Sequence, residues 1–340
     1  MLAVALFWQQ TSAQTLTSSL FERYLETLRE QAGIPGMSAL VMQNGVVVWE
    51  QGFGRADVDT GERAAPSTPY LIGDLSQMFG ATLLLRKCGE QGSARPDDLV
   101  SKWVPSFREG STTLGHLAAH ITASNTFKYD RARFAALTSV IEECSGTSYP
   151  QLLDDEILRR FGMTDSAPGT RMLAPTPEDR ELFDAGRLAQ YGAVLRRVAT
   201  PYTVSSGRMV RADLAPTGVD ASFGIVSSVR DLALFDRRLG IGPNDDLLLS
   251  STRQFAWTRP ASHLLSGVGW FVQSYNGTQV VWQFGVVAGA YSSLVVKVPD
   301  RSLTFILLAN SDRLSTPFAL ENGDVTTSVF AKLFLRLYVP

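Results

Sequence analysis

Apolar positions follow two different spacings in the first fifty residues. Residues 16–32 carry them at helical spacing, which predicts an amphipathic helix that ends near Gly33. Two alternating runs follow, at residues 37–43 and 46–52, with the pair Asn44-Gly45 between them. Such a pair is a strong hairpin signal because both residues tolerate the positive φ of a tight turn. The start of the chain therefore predicts a helix followed by a β-hairpin.

Strand patterns return in the last quarter of the chain. A second Asn-Gly pair lies between two alternating runs, and a Pro-Asp-Arg-Ser turn lies between two strongly apolar runs. A helical pattern then closes the sequence. The predicted elements are strands at Val268–Ser274, Thr278–Phe284, Tyr291–Val298 and Leu303–Asn310, and a helix at about Val325–Leu337.

The middle of the chain has a mostly helical pattern that glycine and proline interrupt. Strands at both ends with helices between them predict an α+β fold, in which an antiparallel sheet from both chain ends is flanked by helices. We predict one domain over residues 14–340. Its sheet lobe would take residues 14–74 and 250–340, and an inserted helical lobe would take residues 75–249.

The composition is that of an ordinary globular protein. The chain has 340 residues, 45% of them hydrophobic, and a formal net charge of −2. This charge does not favour a nucleic acid or an anionic membrane surface as partner, and no apolar run is long enough to span a bilayer. A phosphate loop, a dinucleotide fingerprint and a Gly-x-Ser-x-Gly elbow are all missing from the sequence, so we expect no cofactor.

The cysteines and histidines carry little signal. Cys88 and Cys144 fall in helical patterns, and we interpret them as small buried hydrophobic residues rather than as a disulfide. His116 and His120 are four residues apart and could share a helix face. No third ligand is evident, so we predict no metal site.

The first residues indicate export. Leu2–Trp8 is a short apolar run, and Thr11-Ser12-Ala13 offers a small-residue cleavage site. Residues 1–13 therefore resemble the end of a secretory signal peptide, and we predict a periplasmic or secreted protein. The alternative is a frayed apolar N-terminus.

An ordered set of short segments between about residues 20 and 335 carries a family resemblance. These segments are Gly36-Met37-Ser38-Ala39-Leu40, Gly52-Phe53-Gly54-Arg55-Ala56-Asp57, Tyr70-Leu71-Ile72-Gly73, Phe79-Gly80-Ala81-Thr82-Leu83-Leu84, His116-Leu117-Ala118-Ala119-His120, Ile141-Glu142-Glu143-Cys144-Ser145-Gly146-Thr147-Ser148-Tyr149, Phe161-Gly162-Met163, Ser227-Ser228-Val229-Arg230-Asp231-Leu232, Gly267-Val268-Gly269-Trp270 and Gly289-Ala290-Tyr291-Ser292-Ser293. Together they resemble the β-lactamase-related serine hydrolases, which include class C β-lactamases, penicillin-binding proteins and D-alanyl-D-alanine carboxypeptidases. The resemblance implies a β-lactamase/transpeptidase-like fold and acyl transfer through a serine ester.

The first catalytic motif of that family is missing. It places a serine and a lysine three residues apart at a helix start, so that both share one face. Here the matching segment is Asp74-Leu75-Ser76-Gln77, and no Ser-x-x-Lys occurs anywhere among the five lysines of the chain. An Asp-x-x-Gln at a helix start is typical of a capping box. We therefore predict that Asp74 and Gln77 cap the helix.

The second and third motifs are also altered. The family's Tyr-x-Asn matches Tyr129-Asp130-Arg131, with arginine at the asparagine position. Its Lys-Thr-Gly or His-x-Gly matches Gln283-Phe284-Gly285, with glutamine at the basic position. A formal Ser-x-Asn at Ser274-Tyr275-Asn276 lies in the second hairpin, and we interpret it as a turn.

Two expectations about the cleft follow from the resemblance. Only eight residues separate His120 from Tyr129, where the family has a long loop, so the cleft should be more open on one side. The resemblance also places Asp74 opposite Arg131. A partly buried carboxylate favours a guanidinium partner, so Arg131 would reach Asp74 directly or through one water. Alternatively, Arg131 points to solvent.

These substitutions predict a non-catalytic protein that binds a peptide, a cell-wall fragment or a protein partner in the ancestral cleft. The alternative is a hydrolase or acyl-transfer enzyme with altered chemistry, in which Asp74 is nucleophile or base and Tyr129 and Arg131 assist. A carboxylate nucleophile would form an anhydride that water must then open.

Overall fold

The computed structural model describes the backbone of residues 2–205, 207–239 and 247–340 and the side chains of these residues from 16 onward. The side chains of residues 1–13, which the sequence suggests as a signal-peptide remnant, lie outside this description. Helix α1 runs over Leu2–Ala32 and includes the predicted helix at residues 16–32. Within the described residues, no helix is both long and apolar enough to cross a membrane.

A six-stranded antiparallel sheet joins the two ends of the chain. Its order is β2-β1-β11-β10-β9-β8, so the N-terminal hairpin pairs with the last strand, as Met37 opposite Ala309 shows. The strands are β1 Gly36–Gln43, β2 Val46–Gly54, β8 Phe271–Tyr275, β9 Thr278–Val287, β10 Tyr291–Val298 and β11 Leu303–Ala309. The predicted sheet from both chain ends is confirmed.

Both Asn-Gly turns form as the pattern predicts. Asn44 and Gly45 have φ of 53° and 75°, and Asn276 and Gly277 have φ of 49° and 76°. These left-handed values close two-residue hairpins between β1 and β2 and between β8 and β9. Ser274-Tyr275-Asn276 therefore lies at the tip of this hairpin, as predicted, with Ser274 and Tyr275 at the end of β8 and Asn276 in the turn.

Both faces of the sheet are covered. On β1, Ala39 and Val41 belong to one core cluster and Leu40 and Met42 belong to the other, which is the period of two expected for a strand. The first cluster includes Phe21 of α1 and side chains of the C-terminal helix α11, which spans Val329–Tyr338. The second cluster continues into the helical part of the chain.

The middle of the chain forms short helices and two small sheets. The helices are α2 Gln77–Leu83, α3 Leu114–Ala118, α4 Arg131–Ala135, α5 Leu137–Ser145, α6 Tyr149–Leu153, α7 Pro177–Leu182, α8 Ala185–Leu195, α9 Val229–Leu239 and α10 Ser250–Ala256. The small sheets are β3 Tyr70–Leu71 with β7 Ile225–Ser227 and β4 Ala167–Pro168, and the hairpin β5 Tyr202–Ser205 with β6 Arg208–Arg211.

The prediction about the cysteines is wrong. Cys88 and Cys144 form a disulfide across 56 residues, with their Cα atoms 5.7 Å apart. Cys88 lies in a π-helical stretch, Leu84–Gly89, that extends α2 and packs against α5. This packing brings the two Cα atoms into the range that a disulfide requires, and the separate helical patterns of the two segments could not reveal it.

Candidate active-site cleft

The structure brings all six positions of the altered motifs to one place. Asp74 lies in a 3-10 turn, Gly73–Ser76, that leads into α2, and Gln77 is the first residue of α2. Tyr129 and Arg131 flank the residue that caps α4. Gln283 and Gly285 lie on β9, which crosses the 3-10 turn.

The predicted capping box does not form. Neither the 3-10 turn nor α2 has a side-chain cap, and the residues ahead of them, Ile72 and Ser76, already have helical dihedral angles. An N-cap residue needs an extended backbone for its side chain to reach the exposed N–H groups. Because the residues that begin both helical segments have helical dihedral angles, Asp74 and Gln77 do not act as caps. Both side chains point to other partners in the cleft instead.

Gln77 is the centre of a buried hydrogen-bond network. Its side chain is fully buried. Its Oε1 lies 2.9 Å from Nε2 of His120 and 3.4 Å from Nε2 of Gln283, and its own Nε2 donates to the Tyr129 hydroxyl at 3.2 Å. Gln283 also donates to the Gly269 carbonyl at 3.1 Å. The amide thus joins α2, the Tyr129 segment and β9.

His120 is a member of this network that the sequence reasoning did not select. It is 2% exposed, and its Nδ1 accepts from the backbone N–H of Asp130 at 3.2 Å. Nε2 therefore carries the proton and donates to Gln77. Burial lowers the pKa of His120 to about 3, so the ring is neutral near pH 7. The sequence offered only the spacing to His116, which pointed to a different role.

The direction of the hydrogen bonds continues to Asp74. Since the Tyr129 oxygen accepts from Gln77, its own proton is available to the Asp74 carboxylate, with which it interacts. Burial, with the adjacent Asp74 charge, raises the pKa of Tyr129 well above its usual value. The tyrosine therefore remains a protonated donor, and the chain of donors from His120 converges on one carboxylate.

Arg131 pairs with Asp74, as predicted. Its Nη1 lies 3.5 Å from Oδ1 of Asp74, and its guanidinium stacks over the Phe223 ring at 4.6 Å. Arg131 also faces solvent in part, since its side chain is 49% exposed, whereas that of Asp74 is 10% exposed. The pair therefore spans the boundary between the buried network and solvent.

The Asp74 carboxyl has an unusually high pKa. Burial raises its pKa to about 6, and the nearby Asp220 charge adds to the rise. Arg131 and the Tyr129 hydroxyl act in the opposite direction because they stabilise the anion. The effect of burial on the pKa is the larger one, because the long contact to Arg131 compensates only in part for the water that the carboxylate loses.

Gly285 is required by a close backbone crossing. A Cβ at this position would lie 2.0 Å from the Ile72 carbonyl oxygen and 2.4 Å from Oγ of Ser293. That hydroxyl donates to the same carbonyl at 2.7 Å. β9 can therefore approach the turn that carries Asp74 only if residue 285 has no side chain.

The shortened segment before Tyr129 is a compact loop. Ile121 and Phe127 form a β-bridge, and Phe127 packs against Phe271 at a ring distance of 5.8 Å. The loop ends against the network and leaves Arg131 half exposed, in agreement with a cleft that is open on one side.

His116 has a local structural role. α3 ends at Ala118, and His120 beyond it has a left-handed φ of 54°, so the two histidines do not share a helix face. His116 completes a capping box with Thr113. The described part of the chain contains no group of three His, Cys, Asp or Glu side chains placed to hold a metal ion.

Comparison with known proteins agrees with this architecture. Residues 21–325 match the family described as Beta-lactamase. A Bacillus subtilis (strain 168) protein provisionally classed as penicillin-binding protein PbpX is 26% identical over 289 residues, which is 76% of this chain and 68% of PbpX.

Two solved structures share the fold. The octameric penicillin-binding protein homologue from Pyrococcus abyssi has a TM-score of 0.73 at 20% identity, over 94% of this chain and 77% of that one. The D-alanine carboxypeptidase AmpC from Burkholderia cenocepacia has a TM-score of 0.71 at 18% identity, over 93% and 98%. At these identities the likeness concerns the fold alone.

Proposed function

Because the chain belongs to the β-lactamase family, we propose that it is a binding protein that keeps the family scaffold without the acyl-transfer chemistry. The observation that carries this proposal is the Gln77 network. At the position where the resemblance expects a lysine, a neutral amide is buried, and it is bonded to His120, Tyr129 and Gln283. An amide cannot take a proton from a nucleophile near neutral pH.

The other groups of the cleft do not replace that base. His120 is neutral with its pKa lowered to about 3, and its Nδ1 already accepts a backbone N–H. Tyr129 stays protonated because its pKa is raised. The nearby hydroxyls are engaged, since Oγ of Ser76 accepts from Ile225 and Oγ of Ser293 donates to Ile72.

The half-exposed guanidinium of Arg131 supports a ligand with an anionic or polar group. A guanidinium offers several N–H donors in one plane, and the pair with Asp74 uses only Nη1 among the described contacts. We infer that a peptide, a cell-wall fragment or a protein segment binds here and competes with Asp74 for Arg131. The name of PbpX, a penicillin-binding protein, favours the cell-wall fragment.

The disulfide supports a location outside the cytoplasm. Disulfides persist in oxidising compartments and are rare in the cytosol. Cys88 and Cys144 are paired, and the first residues resemble the end of a signal peptide. We therefore propose a periplasmic or secreted protein.

One observation favours an enzyme with altered chemistry. The pKa of Asp74 is raised to about 6, which is closer to the value expected of a general base near neutral pH than that of an ordinary aspartate. Tyr129 and Arg131 would then stabilise the developing charge. Against this, the pair with Arg131 holds the carboxylate, and an acyl-aspartate intermediate would be an anhydride.

Thermal unfolding in the presence of cell-wall fragments tests the binding proposal. A ligand at about one hundred times its Kd stabilises the folded state by about 2.7 kcal/mol, so its binding raises Tm. We expect at least one muropeptide or stem peptide to raise Tm, and Arg131→Gln to reduce that shift. Arg108→Gln, at an exposed position outside the cleft, is the control. If no fragment raises the wild-type Tm, the cell-wall assignment is wrong.

A further inference from the structure

The central sheet has an open edge away from the cleft. β2 is its outermost strand, and only its inner side pairs with β1. Near the end of β2 the outer side is covered, since Ala64 donates to the Gly54 carbonyl and Arg55 bridges Arg63. Along residues 46–51, the described part of the chain forms no backbone hydrogen bond on the outer side. These residues leave donors and acceptors free for another strand.

The side chains of this edge are apolar and exposed. Val46, Val47 and Val48 are 63%, 42% and 40% exposed. Proteins usually protect an open edge with lysine, proline or a very short strand, because an unprotected edge pairs with other chains. Three adjacent valines offer no such protection, and their β-branched side chains favour an extended partner.

A groove of about 840 Å³ runs beside the edge. Residues 46–50 of β2 form one wall, and α9 forms the opposite wall with Ala233, Leu234 and three charged residues. Gly162 and Asp165 lie at one side. A strand edge beside a helix gives an added peptide both backbone partners and a surface for its alternate side chains.

Most charges that line the groove are already compensated. Arg230 binds Glu50, with Nε 2.9 Å from Oε2, and Arg197 binds Asp165 at 2.7 Å. Asp231 is buried and accepts from Oγ of Ser166 at 2.7 Å.

Arg237 is different from these groups. It is exposed, lines the groove beside Gly45 and Val46, and forms no ion pair with any described residue. The groove therefore presents an uncompensated positive charge at the Val46 end.

We propose that this edge and groove bind an extended peptide segment of another protein, which adds to β2 as a seventh strand and places a carboxylate against Arg237. The free backbone groups of residues 46–51 would supply the ladder, and the valines would contact the apolar side chains of the peptide. The site is separate from the cleft and does not depend on the function of the cleft.

The charges favour a separate peptide over a second copy of this chain. If the β2 edges of two copies paired with each other, the carboxylate that each β2 strand offers to its partner would be Glu50. Arg230 of the same chain already binds that carboxylate. Such a pairing would leave Arg237 without an anion. A peptide with a free acidic residue meets both requirements, since it supplies the strand and the charge.

Two labelled hexapeptides test the proposal by fluorescence anisotropy. Each alternates threonine and valine and carries one glutamate, at the first position in one and at the last in the other, to cover both strand directions. We expect one of them to bind. Its affinity should fall by about tenfold or more when its alternate amides are N-methylated or its glutamate is replaced by glutamine. No binding of either peptide, or equal binding after N-methylation, would overturn the proposal.

Variants of the protein locate the binding. Val47→Lys and Arg237→Glu should each lower the affinity of the protein for the peptide by about tenfold or more. The Tm of both variants should stay close to that of the wild type, because both positions are exposed. Val58→Lys is a matched control, since Val58 is 39% exposed and lies outside the groove. If the wild type sediments as a dimer and Val47→Lys is a monomer, this edge binds a second copy of the chain and the peptide proposal is wrong.

Discussion

The Asp74 carboxyl makes the stability of the protein depend on pH. Its carboxyl is nearly buried, and desolvation raises its pKa to about 6 in the folded state. A carboxyl with a raised pKa binds its proton more tightly in the folded than in the unfolded state. The contribution of Asp74 to the free energy of unfolding therefore falls as the pH rises from about 4 to about 6 and stays lower above that range.

Asp74→Asn should remove this penalty. We expect the free energy of unfolding near pH 7 to increase by about 3 kcal/mol, because an unfavourable shift of about two pKa units, each worth about 1.4 kcal/mol, is lost. Urea denaturation of both proteins between about pH 4 and pH 7 measures it. Asp98→Asn is the control with the opposite sign, since hydrogen bonds to Arg95 and Lys102 lower the pKa of Asp98. A variant no more stable than the wild type near pH 7 would contradict this account.

We expect Gln77 to stabilise the fold through its hydrogen bonds rather than through the volume of its side chain. Gln77→Met keeps the size but leaves the Nε2 proton of His120 without an acceptor, so we expect a loss of about 2 kcal/mol. His120→Phe removes that donor. In a double-mutant cycle the second substitution should recover part of the loss, whereas strictly additive losses would show that the two side chains are not coupled.

The altered motifs could be found from the sequence because each follows a recognisable spacing. The convergence of Asp74, Gln77, Tyr129 and Gln283 followed from the family resemblance, and the structure reproduces it. The role of Gln77 could not be found, because it depends on His120 and on a helical entry that excludes capping. The contact of Arg131 with Phe223 also joins segments far apart in sequence.

At the level of the elements, the crossing of β9 and the 3-10 turn before α2 fixes the cleft. Gly285→Ala would place a methyl group 2.0 Å from the Ile72 carbonyl oxygen. Because the obstacle is backbone, the strand must move, and we expect a loss of about 3 kcal/mol or more. Gly110→Ala is the control, since nothing lies within 4 Å of a Cβ there. Equal unfolding free energies of the two variants would show that the crossing is not tight.

The strands were predictable at this scale because alternation and Asn-Gly turns are local signals. β1, β2, β10 and β11 form within about two residues of the predicted bounds. The short helices of the middle were less accessible. The π-helical stretch at residues 84–89 depends on packing against α5, which no local pattern encodes.

The disulfide ties two helical segments of the molecule. Cys88→Ala with Cys144→Ala removes a cross-link that closes a loop of 56 residues, so we expect the free energy of unfolding to fall by about 2–4 kcal/mol. Chemical denaturation with and without a reducing agent measures it. Reduction should destabilise the wild type and leave the double variant unchanged. A wild type that is insensitive to complete reduction would argue against a stabilising cross-link.

At the scale of the whole molecule, we propose a β-lactamase scaffold whose cleft does not catalyse acyl transfer. The most direct measurement is the release of chromophore from a p-nitrophenyl ester and a chromogenic cephalosporin by the wild type and by Asp74→Asn. We expect both proteins to release it no faster than buffer, because a cleft of this kind would lack an activated nucleophile. If the wild type releases chromophore faster than buffer and Asp74→Asn abolishes this release, the proposal is wrong and Asp74 is a catalytic residue.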